Sequence, residues 1–190
     1  MRRVFLLASV AVLLLAAVPA LPAAQPDVVF TCYGLNANIV GTDGDDVLEG
    51  TAAADVIQGN GGDDYINGKG GNDVLCGGEG ADEIVGGSGN DFIRGGPGGD
   101  TIRGNDGRDA IAGLKGYDDI IAGKGVDVAI GGKGNDDIRG KAGSDFLAGD
   151  QGTDVTKGGK NLDWCKAETE ISCEGWVAPF RLKPTGIGTI

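Results

Sequence analysis

Aspartate recurs every nine residues along most of this chain: Asp46, Asp55, Asp64, Asp73, Asp82, Asp91, Asp100, Asp109, Asp118, Asp127, Asp136, Asp145, Asp154 and Asp163. Fourteen carboxylates in one phase are hard oxygen donors, and the chemistry that suits such a set is coordination of a hard divalent cation. The chain contains no histidine, the most frequent general base, which disfavours acid–base catalysis. A tetrahedral zinc site is excluded by the same absence and by the lack of any Cys-x-x-Cys pair. Lys69, Lys124 and Lys133 follow glycine but precede glycine, and Lys141 precedes alanine, so none completes a phosphate-binding loop.

The elements that must position these carboxylates follow from the residues around them. From Gly41 to Lys166 the sequence divides into fourteen nine-residue repeats without insertion or deletion. Numbering positions within a repeat, position 1 is glycine in thirteen (Ala122 is the exception) and position 4 in twelve (Ala53 and Asn161 are the exceptions). Aspartate holds position 6 throughout, and position 8 is Ile or Leu in eleven repeats. Glycine at fixed phase implies tight turns with positive φ and close backbone approach. We therefore expect a six-residue turn followed by a three-residue strand whose middle side chain points inward. Two repeats make one coil of 18 residues, and stacked coils form two parallel sheets. The expected fold is all-β, a right-handed parallel β-roll (a β-solenoid) of about seven coils. No segment after the first two dozen residues has apolar residues at helical spacing. Outward strand positions read as mixed in type, with no regular file of Thr or aromatics.

Stacking places aspartates 18 apart, such as Asp64, Asp82 and Asp100, side by side at about 5 Å. Without a cation they repel. One apolar side chain per repeat also offsets little of the entropy lost in ordering glycine-rich backbone. An ion accepting six to eight oxygens in irregular geometry, which calcium does and magnesium does not, resolves both problems. Folding and metal binding are then one event. Seven turns on each edge leave six gaps, so at most about twelve Ca2+ sites are available.

Repeats such as GNGGDDYIN, GKGGNDVLC, GGSGNDFIR and GGKGNDDIR resemble the RTX nonapeptide G-G-x-G-x-D-x-U-x, and the resemblance covers 126 of 190 residues. It implies calcium held between stacked turns by the position-6 carboxylates and turn carbonyls. Repeat 2 (GTAAADVIQ), repeat 10 with Ala122 and Ala129, and repeats 13 and 14 with Thr156 and Cys165 inward depart from the pattern. The best sites are expected in repeats 3 to 8.

The flanks read differently. Arg2 and Arg3, an apolar run from Val4 to Val18 and the small residues up to Ala24 match a secretory signal peptide over 1–24, with cleavage between Ala20 and Ala24. The run is too short for a membrane span. Residues 25–40 are expected to form an amino-terminal cap, with Ile39 in the inward phase and Ala37 where aspartate would be. Residues 167–190 form a carboxy-terminal cap in which Trp176 and Phe180, with Trp164 just before it, cover the last coil. Export permits disulfides among Cys32, Cys76, Cys165 and Cys173. Three connectivities are open, and the short loop between Cys165 and Cys173 would leave Cys32 with Cys76. Losing Arg2 and Arg3 takes the net charge from −12 to −14, which disfavours nucleic acid as a partner.

These features predict a secreted, extracellular, monomeric, non-catalytic protein whose folding is driven by calcium. The alternative is an adhesion or polysaccharide-binding protein, acting on a cell wall or matrix, in which calcium builds the scaffold.

Overall fold

A computed structural model describes Leu35, residues 37–166 and the backbone of residues 170–172. These lie in one unit, Cys32–Ile190, and contain strands only. In chain order the strands are β1 Ile39–Val40, β2 Val47–Glu49, β3 Val56–Gly61, β4 Tyr65–Gly70, β5 Val74–Glu79, β6 Glu83–Ser88, β7 Phe92–Pro97, β8 Thr101–Asp106, β9 Ala110–Lys115, β10 Asp119–Lys124, β11 Val128–Lys133, β12 Asp137–Ala142, β13 Phe146–Gln151, β14 Val155–Lys160, β15 Trp164–Lys166 and β16 Glu170–Ser172.

Odd-numbered strands form one eight-stranded parallel sheet and even-numbered strands the other. Each strand pairs with the strand 18 residues away, as in Ile57↔Leu75, Ile93↔Ile111 and Ile120↔Ile138. The β-solenoid of about seven coils expected from the periodicity is therefore present. Its core is a single file from each sheet: Leu48, Ile57, Ile66, Leu75, Ile84 and onward to Leu147, with Ile39 and Cys165 packed at its ends. Ala129 and Thr156 occupy the same inward position and are fully buried.

The division into turn and strand differs from the expectation. Most strands run six residues, from position 7 through position 3 of the next repeat, so the loop left between them is positions 4 to 6. The parallel register continues past the first glycine, as in Gly87↔Asn105 and Ser88↔Asp106. The glycines also divide their duties. At position 1 the requirement is space: a Cβ on Gly104 would lie 2.4 Å from both the Ala122 carbonyl oxygen and Asp109 Oδ2. At position 4 it is conformation as well, since Gly107 has φ +145° and its Cβ would meet the Gly89 carbonyl oxygen at 1.6 Å.

Positive φ also falls at position 2, which is glycine in only six of the fourteen repeats. Asn60, Lys69, Asn105, Leu114, Lys141 and Asp150 all adopt it, alongside six glycines. Non-glycine residues bear a strain cost there.

At the carboxy-terminal end the phase slips. Strand β16 pairs with β14 as Val155↔Glu170 and Thr156↔Ile171, an offset of 15 rather than 18. Trp164 does not cover the core: it lies on the outer face of the odd sheet, stacked on Phe146 with ring centroids 4.2 Å apart and planes 8° apart. Position 7 alternates with the inward position 8, which sends this ring outward. Trp176 and Phe180 lie outside the described residues.

The two outer faces differ. Position 7 of the odd sheet is a continuous apolar file: Val56, Val74, Phe92, Ala110, Val128, Phe146 and Trp164. On the even sheet, ion pairs join Arg103 to Glu83, and Arg139 to Asp119 and Asp137. The mixed outward pattern read along the chain was two unlike columns interleaved.

Candidate metal centre

The sequence places a carboxylate at the end of each turn, and stacking turns them into two columns, one on each edge of the roll. Thirteen of the fourteen, Asp55 through Asp163, are buried, each at most 4% exposed, and Asp46 is half-buried. Each is tied to its neighbours by the backbone. The N–H of Asp82 donates to Asp100 Oδ1 at 3.0 Å, that of Asp100 to Asp118 Oδ1 at 2.9 Å, and that of Asp127 to Asp145 Oδ1 at 3.0 Å. The carbonyl oxygens are used as well: Asp100 O accepts from the Asp119 N–H at 2.8 Å. Both columns are therefore continuous, including repeats 10, 13 and 14, which the sequence marked as irregular.

From Asp64 to Asp163, one oxygen of each carboxylate satisfies this network and the other does not. Oδ2 of Asp64, Asp73, Asp82, Asp91, Asp100, Asp109, Asp118, Asp127, Asp136, Asp145, Asp154 and Asp163 is buried without a hydrogen-bond partner. A charged oxygen in that position costs far more than it returns unless a cation meets it. Removal from water pushes the carboxyls of Asp82, Asp91, Asp118, Asp127 and Asp136 up to about 6, and those of Asp100, Asp109 and Asp145 up to about 7. The N–H donated from the preceding coil opposes this rise without cancelling it. Asp64 and Asp73 are raised by burial in the same direction.

The donor set suits a hard ion. Among the described residues no three side chains of His, Cys, Asp or Glu cluster together, so a site here must combine carboxylates of one column with peptide oxygens. Such oxygens are at hand: near Gly59, Asp64 Oδ2 and the Gly77 carbonyl of the next coil both come within 2.4 Å of the space a side chain would take. This all-oxygen, irregular environment fits Ca2+ and offers nothing to a thiophilic metal.

Asp46 and Asp55 differ from the rest. Asp46 Oδ2 accepts from the Thr42 N–H and from Thr42 Oγ1 at 2.9 Å. Asp55 Oδ2 accepts from the Thr51 N–H at 2.7 Å and Thr51 Oγ1 at 2.9 Å, while Asn38 donates to its Oδ1. The Thr51 N–H first, and then the Asn38 amide, hold the Asp55 carboxyl below its ordinary value.

A second file of polar side chains, which the spacing of position 6 does not reveal, lies at position 5. Asp45 Oδ1 accepts from the Asp63 N–H, Asp63 Oδ1 from the Ala81 N–H, Asn72 Oδ1 from the Asn90 N–H, and Asn135 Oδ1 from the Thr153 N–H. Recurrence of Asp and Asn at this position was the available signal, since short side chains that bond backbone favour turns. Cys76 and Cys165 are not free thiols; Cys32 and Cys173 lie outside the described residues.

A family model described as the RTX calcium-binding nonapeptide repeat (4 copies) matches residues 40–75, 77–111, 103–138, 121–156 and 130–163. No curated protein matches the chain. The matched segments run through the turns whose carboxylate oxygens stand unpartnered, and the chain belongs to the family of RTX calcium-binding nonapeptide-repeat proteins.

Proposed function

We propose that this is a secreted protein whose roll is completed by Ca2+ bound between stacked turns, with the position-6 aspartates and turn carbonyls as ligands. The observation that carries the reading is the set of buried, unpartnered Oδ2 atoms, which makes the cation-free roll electrostatically unfavourable. Secretion is supported by the tripartite pattern of residues 1–24, which lie outside the described residues. Two disulfides, Cys32 with Cys76 and Cys165 with Cys173, staple the ends. Strands β5 and β15 are five steps apart in the odd sheet. At about 4.8 Å per step, roughly 24 Å separates Cys76 from Cys165, beyond the ~7 Å a bridge spans. The protein is monomeric and non-catalytic in this reading.

The test is circular dichroism of the processed chain during calcium titration, followed by chelator. A β spectrum that grows with calcium and disappears with chelator supports it, and one indifferent to calcium overturns it.

The apolar outer file that ends in the Phe146–Trp164 stack favours a second reading, in which the roll presents an adhesive or polysaccharide-binding face. Absence of glycan binding by the natural chain would remove this reading, and binding that survives Trp164→Ala would remove this face as its site.

A further inference from the structure

We infer that the first two turns hold no ion, because Thr42 and Thr51 take the place of the cation at Asp46 and Asp55. The inference rests on the calcium reading above and limits where it applies. Three observations separate repeats 1 and 2 from repeats 3 to 14, and they coincide repeat for repeat.

The first is the carboxylate itself. In repeats 3 to 14 every position-6 Oδ2 is buried and unpartnered, whereas in repeats 1 and 2 it accepts both the N–H and the hydroxyl of the position-2 threonine. The second is the backbone at position 2. It has positive φ in all twelve later repeats, from Asn60 to Gly159, and in neither Thr42 nor Thr51. A β-branched residue is strongly disfavoured in that region, so threonine keeps the peptide in the orientation that aims its N–H at the carboxylate. The third is position 4, where φ is positive from Gly62 through Asn161 but not at Gly44 or Ala53. There the N–H of Gly44 donates to Thr42 Oγ1 at 3.2 Å, and that of Ala53 to Thr51 Oγ1 at 3.1 Å.

Each threonine thus closes a local turn through its side chain while supplying two donors to one carboxylate oxygen. A carboxylate so satisfied gains little from a cation and would have to give up both bonds to bind one. Physically, this suits the end of the stack. A turn in mid-stack has neighbours on both sides, whereas the first turn on each edge lacks a preceding repeat, and threonine completes it from within. The twelve remaining turns lie six on each edge. They leave five gaps per edge, so the chain binds at most ten ions where spacing alone allows twelve.

Repeat 1 (GTDGDD) differs from the turn of repeat 8 (GNDGRD) only at Thr42 and Asp45, so a single change tests the role of threonine. Calcium stoichiometry of the full processed chain is measured by equilibrium dialysis and by titration calorimetry, for the natural sequence and for Asp46→Asn, Asp100→Asn and Thr42→Asn. Expected are ten or fewer ions for the natural chain, an unchanged count for Asp46→Asn, one or two fewer for Asp100→Asn, and one more for Thr42→Asn. Eleven or twelve ions in the natural chain, or loss of an ion in Asp46→Asn, overturns the inference. An unchanged count in Thr42→Asn overturns the assignment to threonine. Absence of calcium binding by the natural chain fails the calcium reading itself, a result distinct from these.

Discussion

If buried carboxylates are what oppose folding without calcium, protons should replace calcium. Eight aspartates have folded values of about 6 or about 7, against an unfolded value near 3.9. A folded value raised above the unfolded one means that the folded chain binds more protons between the two. Stability therefore rises as pH falls through about 7 towards about 4, and is lost as pH rises through the folded value. Between pH 8 and pH 5, a carboxyl at about 7 contributes about 2–3 kcal/mol and one at about 6 about 1–2 kcal/mol. Together the eight favour the roll by on the order of 10 kcal/mol, comparable to the whole stability of an ordinary domain. The assay is far-ultraviolet circular dichroism of the processed chain in chelator as pH is lowered from 8 to 5. Near-ultraviolet signal from the stacked Phe146–Trp164 pair reports tertiary packing, and sedimentation velocity confirms a monomer. The expected result is a cooperative gain of β signal below pH 7 matching the calcium-loaded spectrum at pH 8. No gain by pH 5, in a chain that still responds to calcium, would refute the argument that charge burial is the barrier.

Further substitutions separate space, strain and packing. Gly107→Ala should destabilise the calcium-loaded roll by at least about 3 kcal/mol in thermal melts, since its Cβ would lie 1.6 Å from the Gly89 carbonyl oxygen at φ +145°. Leu114→Gly should stabilise by up to about 1 kcal/mol, because leucine there is held at φ 91°; a lower melting temperature would contradict the strain assignment. Ile120→Ala, at a fully buried core position, should cost about 2–5 kcal/mol and raise the calcium midpoint without changing the number of ions.

Much of the fold could be read from spacing because the sequence and the structure share a period. Aspartate at position 6, glycine at positions 1 and 4 and an aliphatic residue at position 8 each do one job in every coil, so phase alone predicted the parallel sheets, the single-file core and the carboxylate columns. At the irregular repeats that carry Ala122, Ala129 and Thr156, where weaker sites are expected, the carboxylate network itself runs unbroken. Small side chains at those positions reduce packing but leave the backbone bonds that define the turn.

What the sequence determined by itself was the nine-residue unit, and with it the fold class and the candidate ligands. What only the tertiary structure decided depends on the 18-residue coil and on backbone conformation. Sorting alternate repeats onto opposite sheets exposed the apolar file from Val56 to Trp164, because residues nine apart face opposite sides of the molecule while residues 18 apart are neighbours. At Thr42 and Thr51 only the φ values and hydrogen bonds reveal carboxylates already satisfied. A carboxylate's need for a cation depends on which donors reach its second oxygen, and backbone torsion, rather than residue type at one position, decides that.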